Sequence, residues 1–268
     1  MRFPVSKFQK KLEAQLIESE EGRIREVLTC LIESEELNHL QEYANIVSIN
    51  RLGFNDHGPV HARMVAKNAL ELMHLIQNKI PTSLEVEKLG SFEDSIIVLL
   101  ISAFCHDLGM TMGRHHHERN SIIISEKYIE EILRKFYKDS HYALILKTLV
   151  FECIIGHMGM FDVSSIEAGV LLVSDGCDMT KGRARIPYSM QTRPTVGDIH
   201  KYSAMSINQV HIQPGDEKYP IKITVDMDDK AGIFQIEQVL YPKVIKSSIK
   251  KNIQIIARLK NGTELPYQ

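Results

Sequence analysis

This sequence has few cysteines, almost no net charge and no long apolar run. Its four cysteines lie far apart, three of them within apolar segments, so we expect reduced, buried thiols and neither a disulfide framework nor a zinc knuckle. The formal net charge of −2 gives no whole-chain sign of nucleic-acid binding. No run of about 18 apolar residues is present, and no apolar leader follows the first residues. We therefore expect a cytoplasmic protein that neither spans a membrane nor binds nucleic acid.

The length and the periodicity predict a three-part organisation. The chain has 268 residues, 44% of them hydrophobic and 25% charged, enough for one large domain with a small one attached. Residues 1–50 carry two amphipathic helical patterns rich in Glu and Lys, typical of helices that pack on the outside of a core. Residues 51–198 continue with helical periodicity, whereas residues 199–268 shift toward a period of two in a strand–strand–helix–strand pattern. The predicted fold is mainly α, a helical bundle with a small C-terminal α+β unit.

The central segment, residues 96–109, begins as an unbroken apolar run and ends in His-Asp-Leu-Gly. The run is too short to cross a membrane and predicts a buried core helix, with Gly109 as its stop. Burying two ionisable side chains costs several kcal/mol unless they are paired or bind a metal. His106 and Asp107 are therefore either a pair that satisfies itself or two ligands of a metal ion.

Further polar residues occupy core-facing positions at the ends of other apolar helices. His61 precedes Val65 by four residues and Asp175 follows Leu171 by four, so each lies on the buried stripe of its helix. A single such residue is usually a hydrogen-bonded core residue or a helix cap. Among the three adjacent histidines 115–117, at most one or two can face the same site, and the others are expected to be solvated. Six ordered placements favour one shared site: His61, His106, Asp107, His117, His157 and Asp175.

The ordered set resembles the HD-domain metal-dependent phosphohydrolases over roughly residues 50–180. The motif of that superfamily is a histidine, a His-Asp pair and a later aspartate, here His61, His106 with Asp107, and Asp175. The strings Asn-Asp-His-Gly-Pro-Val-His-Ala-Arg (55–63) and Lys-Gly-Arg-Ala-Arg-Ile-Pro-Tyr (181–188) are similar to an uncharacterised branch common in archaea. The resemblance implies an HD-domain helical fold for residues 51–198. It also implies two metal ions, with His117 and His157 completing the second site, and the mixed N/O donors suit Mn, Fe, Co, Ni or Zn.

The resemblance implies hydrolysis of a phosphomonoester or phosphodiester of a nucleotide or another small phosphorylated metabolite, by metal-activated water. Phosphoryl transfer also requires positive charge around the equatorial oxygens. Arg114, Lys181, Arg183 and Arg185 are candidates for that role, although a solvated basic linker explains them equally well. The candidate catalytic residues are Asp107, His106, Arg114, Lys181 and Arg183.

Departures from the family pattern narrow the subfamily. No Gly-Tyr-Pro follows His157, which argues against the cyclic-di-GMP phosphodiesterases. No acidic pair follows Asp107-Leu108, which argues against the alarmone hydrolases, and Met110 stands where many relatives carry a lysine. Two other functions stay open: an HD-type di-iron oxygenase with the same six ligands, and a non-catalytic nucleotide-binding regulatory protein.

The C-terminal unit contains alternating strands without a cluster of catalytic side chains. Asp226, Asp228 and Asp229 lie at a strand end and a turn, where aspartate is common for backbone reasons. A small sheet with one helix leaves an apolar face that the helical domain or another subunit must cover. We therefore expect this unit to support assembly, as a homodimer, or regulation, and to provide no metal ligand.

Overall fold

The computed structural model describes residues 5–181 and 199–267. The N-terminal region forms three helices, α1 (Lys7–Ser19), α2 (Gly22–Glu33) and α3 (Glu35–Ile46). The prediction of two helices was wrong because a single extended residue, Ser34, ends α2 and also caps α3. Its hydroxyl accepts a hydrogen bond from the Leu37 amide at 3.3 Å. α1 packs against the fourth helix of the chain and α2 against the sixth.

Residues 59–176 are mainly helical, which confirms the predicted mainly α fold. Its helices are α4 (Pro59–Ile76), α5 (Ser83–Val86), α6 (Phe92–Cys105), α7 (His117–Phe136), α8 (Ser140–Gly156) and α9 (Ile166–Gly176). Pro59 occupies the first turn of α4, where its missing N–H costs no hydrogen bond. Residues 94–105 of α6 are all buried, and α6 packs against α4, α8 and α9. α6 is therefore the central helix of a mainly α fold.

The helical apolar segment that contains α6 is longer than the sequence suggests. Phe92–Met112, which joins α6 to a short 3₁₀ segment, is long and apolar enough by length and hydropathy alone to cross a membrane. The prediction that this segment is too short was therefore wrong on that criterion. However, 89% of its most apolar window is buried inside the protein. It is thus the core helix that the sequence predicts.

The prediction that Gly109 ends the core helix was wrong. α6 ends at Cys105, and residues Leu108–Met112 continue as a 3₁₀ helix that ends at Gly113, whose φ is +119°. Gly109 is needed for space, because a Cβ there would lie 2.6 Å from the Ser121 amide nitrogen of α7. The Ser121 hydroxyl accepts from the Gly109 amide at 2.8 Å and donates to the His106 carbonyl at 2.5 Å. This close approach of α7 fixes the His-Asp segment.

The C-terminal unit is a four-stranded mixed sheet with one helical crossover. The helix α10 (Ile199–Ser206) leads into β1 (Ile207–Pro214), β2 (Ile221–Met227), β3 (Ile253–Leu259) and β4 (Glu264–Pro266). The sheet order is β1-β2-β3-β4, with β2 and β3 parallel and the outer pairs antiparallel. Between β2 and β3, a one-turn α-helical segment (Ile233–Gln235) and a π-helical turn (Ile236–Leu240) lead into α11 (Tyr241–Lys246). The predicted strand–strand–helix–strand order is correct, and α10 and the three-residue β4 were missed.

The C-terminal unit packs directly on the helical domain through α11 and the residues after it. The Ser247 hydroxyl donates to the Gly169 carbonyl at 3.0 Å, and the Ser248 hydroxyl donates to the Ser165 carbonyl at 2.7 Å. A Cβ at Gly169 would lie 2.8 Å from the Ser247 hydroxyl, so the two segments touch at the backbone of α9. The unit therefore lies against the helix whose end carries Asp175.

Candidate metal centre

Six buried side chains from the ends of five helices meet in one cluster. His61 lies in the first turn of α4 and His117 is the first residue of α7, whereas His106 and His157 directly follow α6 and α8. Asp107 follows His106, and Asp175 is the next-to-last residue of α9. The structure thus brings together all six residues that the sequence predicts for one site. Their exposed fractions are His61 1%, His106 1%, Asp107 8%, His117 1%, His157 1% and Asp175 7%.

The first group of donor atoms centres on the His61 imidazole. Its Nε2 lies 3.1 Å from His106 Nε2, 3.2 Å from Asp107 Oδ2 and 3.2 Å from Asp175 Oδ1. His106 Nε2 lies 3.3 Å from the same Asp107 oxygen. Ligand atoms of His61, His106 and Asp175 all fall within 4.8 Å of one another, a spacing that could hold one metal ion.

The second group lies on the other side of the Asp107 carboxylate. Asp107 Oδ1 is 3.2 Å from His117 Nε2 and 3.5 Å from His157 Nε2, and these two nitrogens are 3.2 Å apart. Asp107 therefore directs one oxygen to each group of donors.

The hydrogen bonds of the four imidazoles fix which ring nitrogen can bind a metal. In each ring Nδ1 contacts an oxygen that can only accept, so Nδ1 carries the proton and Nε2 presents its lone pair. The Nε2 atoms of His61 and His106 then face each other as two acceptors, and so do those of His117 and His157. Paired imidazole nitrogens beside carboxylate oxygens are a donor set that suits a divalent cation. The Nδ1 partners are Asp178 Oδ2 for His61 (2.6 Å) and the carbonyls of Ala103 for His106 (2.8 Å), Arg114 for His117 (3.0 Å) and Ile154 for His157 (2.6 Å).

The spacing of the donor atoms also fits metal coordination. Two ligands about 2.1 Å from one ion lie about 3.0 Å apart at a right angle and about 3.4 Å apart at the tetrahedral angle. The donor–donor distances in the cluster run from 3.1 to 3.5 Å. The residues present thus fit divalent metal ions by both donor type and geometry.

The protonation states favoured by the site are those of metal ligands. Burial lowers the pKa of His157 to about 4, so its imidazole is neutral at pH 7. Burial raises the pKa of Asp107, but the neighbouring His106 and His57 outweigh that effect and hold it well below the usual range. For Asp175 burial is likewise outweighed, chiefly by the Lys243 ammonium and by His61. Both carboxylates are therefore ionised.

Two residues that contact the ligands were not assigned by sequence reasoning. Asp178 accepts from His61, as described above, and its role was left open. Lys243 of α11 donates to Asp175 Oδ2 and, at 2.9 Å, to the His157 carbonyl. No local pattern signals Lys243, because it lies 68 residues from Asp175 in the chain. The C-terminal unit thus touches the candidate metal centre with a charged side chain.

The cationic residues predicted to bind phosphate lie in different surroundings. The half-buried Arg114 donates towards His57 Nε2 at 3.4 Å, and its guanidinium lies 5.5 Å from the centre of the Phe54 ring. Lys181 instead donates to Asn208 Oδ1 at 2.5 Å and lies 3.9 Å from the Asp228 carboxylate. Arg183 lies outside the described residues. His115 and His116 are exposed, as expected for the histidines of the run that are not in the cluster.

A buried set of histidines and carboxylates at the ends of core helices defines the class: a helical protein with side chains arranged to hold metal. The HD domain family model matches residues 58–180, which include all six clustered residues. A protein of Methanocaldococcus jannaschii, described only as uncharacterised, is 41% identical over 230 residues, covering 85% of this chain and 86% of that protein. No solved structure matches the chain. The chain belongs to the HD-domain family, whose members commonly are metal-dependent hydrolases.

Proposed function

We propose that this protein hydrolyses a phosphomonoester or phosphodiester of a nucleotide or another small phosphorylated metabolite at a centre of two divalent transition-metal ions. The observation that supports the proposal is the division of the Asp107 carboxylate, with Oδ2 toward His61 and His106 and Oδ1 toward His117 and His157. Because each oxygen faces its own pair of imidazole nitrogens, the carboxylate could serve one ion on each side.

The chain's own residues would divide the work as follows. His61, His106, Asp107 and Asp175 would hold one ion, and His117, His157 and Asp107 the other. When bound, the ions polarise a phosphoryl oxygen and lower the pKa of a water molecule. The donor set of imidazole nitrogens and carboxylate oxygens suits Mn, Fe, Co, Ni or Zn.

We assign Arg114 as the cation that binds the substrate. Its guanidinium contacts the exposed Phe54 ring and the buried His57, whose ring centre is 5.9 Å from that of His61. A planar guanidinium is well suited to bind phosphoryl oxygens in two-point contacts. Lys181 is less favoured for this role because Asn208 and Asp228 already engage its ammonium.

The proposal is tested by metal analysis combined with a substrate panel. The purified protein is stripped with a chelator, reconstituted with Mn²⁺ or Fe²⁺, and assayed with nucleotides, sugar phosphates and phosphodiesters. We expect bound metal and ester hydrolysis that chelator removes and Mn²⁺ restores. Iron-dependent oxygen consumption without ester hydrolysis would instead support the di-iron oxygenase. Absence of bound metal and of turnover after reconstitution would exclude both enzymes.

The predicted homodimer is checked in parallel by light scattering and stays a prediction.

His157→Ala is expected to halve the metal stoichiometry while the fold is retained. His157 faces Asp107 Oδ1 through its Nε2 atom, and His117 is the other histidine that does so. The substitution therefore removes one of the two imidazole ligands proposed for the second ion. Elemental analysis of the reconstituted protein measures the change. His141→Ala is the matched control, because His141 is an exposed residue at the start of the same helix. An unchanged stoichiometry in His157→Ala would return His157 to a helix-capping role.

A further inference from the structure

Lys243 occupies a position that packing alone does not explain. It lies within α11, and its side chain is only 14% exposed. Burial of an ammonium costs free energy unless a carboxylate and other acceptors surround it. The Ser247 and Ser248 hydroxyls already attach the following segment to the α9 backbone. Lys246, one turn later, pairs with Asp162 at the surface, 2.7 Å away. Attachment of the C-terminal unit therefore does not explain why the Lys243 side chain is buried against Asp175.

The two carboxylate oxygens of Asp175 have different partners, and Lys243 contacts only one of them. Oδ1 lies 3.2 Å from His61 Nε2, on the side of the first donor group, whereas Oδ2 accepts from the Lys243 ammonium. The same ammonium donates to the His157 carbonyl at 2.9 Å, and the His157 ring belongs to the second donor group. Lys243 thus contacts one residue of each group and joins the ends of α8 and α9.

We propose that Lys243 is a positioning residue of the metal centre: it reserves Oδ2 of Asp175 so that only Oδ1 is offered as a ligand, and it makes the C-terminal unit part of the centre. This inference rests on the proposed function, because it takes Asp175 to be a ligand. It replaces the expectation that the C-terminal unit acts only in assembly or regulation. Groups that orient metal ligands from behind commonly change metal affinity about 10–100-fold when removed.

If Lys243 acted only through its charge, its removal would change the metal affinity in the opposite direction. The Lys243 ammonium is a positive charge beside the cation site, so its removal should tighten metal binding if charge were its only effect. If Lys243 acts by positioning, its removal frees the Asp175 carboxylate to rotate or to bind through both oxygens, and affinity falls. The sign of the affinity change therefore separates the two roles.

The experiment measures Co²⁺ binding to the full-length chelator-stripped protein, by competition with a coloured chelator and by the visible absorption of the bound ion. Lys243→Met keeps the apolar stem and removes the charge, and Lys246→Met is the matched control on the same helix. We expect Lys243→Met to bind Co²⁺ about tenfold more weakly and to shift the absorption spectrum, which reports the number and geometry of ligands. Lys246→Met should match the wild type in both measurements.

Lys243→Gln provides a second variant if Lys243→Met does not fold, as judged by circular dichroism. Wild-type affinity and spectrum, or tighter binding, in the folded variant would overturn the positioning role. A double variant with Asp175→Asn adds a further check, because Lys243→Met should have little effect once Asp175 is no longer a carboxylate. Failure of the wild type to bind Co²⁺ would reject the proposed metal centre itself, whereas binding that ignores Lys243 would reject only this inference.

Discussion

Replacing Asp107 by alanine is expected to abolish metal binding and hydrolysis together. Asp107 directs Oδ2 to His61 and His106 and Oδ1 to His117 and His157, so its removal takes a ligand from both groups at once. We expect no stoichiometric metal after reconstitution with Mn²⁺, and a loss of turnover on the order of 10⁴-fold, as found when one member of a catalytic unit is deleted. Elemental analysis and ester hydrolysis on the same sample measure both effects.

Two further variants show whether the loss is specific to the carboxylate. Asp107→Asn keeps the size of the side chain, but only one of its two terminal atoms can bind a metal, so it should retain at most one ion. Asp162→Asn changes an exposed aspartate that pairs with Lys246, and it should behave as the wild type. Full metal occupancy in Asp107→Ala would contradict the bridging role and with it the two-metal proposal.

The clustering of the six residues could be predicted from sequence because each of them follows from helix periodicity or from a helix end. His61 and Asp175 lie four residues from buried apolar positions, and an α-helix brings such residues to one face. The division of the six residues into two groups of donor atoms, one on each side of the Asp107 carboxylate, could not be predicted. It depends on which Asp107 oxygen faces which ring, and no spacing in the sequence encodes that orientation.

Long-range contacts account for most of what the sequence did not reveal. Asp178 is 117 residues from His61 and Lys243 is 68 from Asp175, and neither separation follows any helical or strand period. The missed third helix has a different cause. One extended residue, Ser34, separates α2 from α3, and such a short break leaves the apolar pattern almost continuous. Element types were therefore predictable, whereas contacts between the two units were not.

A buried arginine joins the N-terminal helices to the helix that carries His61. Arg63 of α4 has no exposed surface, and its guanidinium donates to Glu13 Oε1 of α1 at 2.6 Å. It also donates to Gln41 Oε1 at 2.8 Å and Asn38 Oδ1 at 2.7 Å, both in α3, and lies 5.0 Å from the centre of the Phe104 ring. In the sequence, Arg63 stands out only as the last residue of the segment 55–63 that is similar to the archaeal branch. Its burial could therefore not be predicted.

Arg63→Met is expected to destabilise the protein by about 3–5 kcal/mol, because it leaves the Glu13 carboxylate and two amide oxygens without their buried donor. For a chain of this size that corresponds to a fall in melting temperature of roughly 6–15 °C, measurable by calorimetry. Lys67→Met, one turn further along α4, removes a half-exposed pair with Glu71 and should change stability by about 0.5 kcal/mol or less. Equal melting temperatures for the two variants would mean that Glu13 is satisfied without Arg63, and that the N-terminal helices are held to α4 by apolar packing alone.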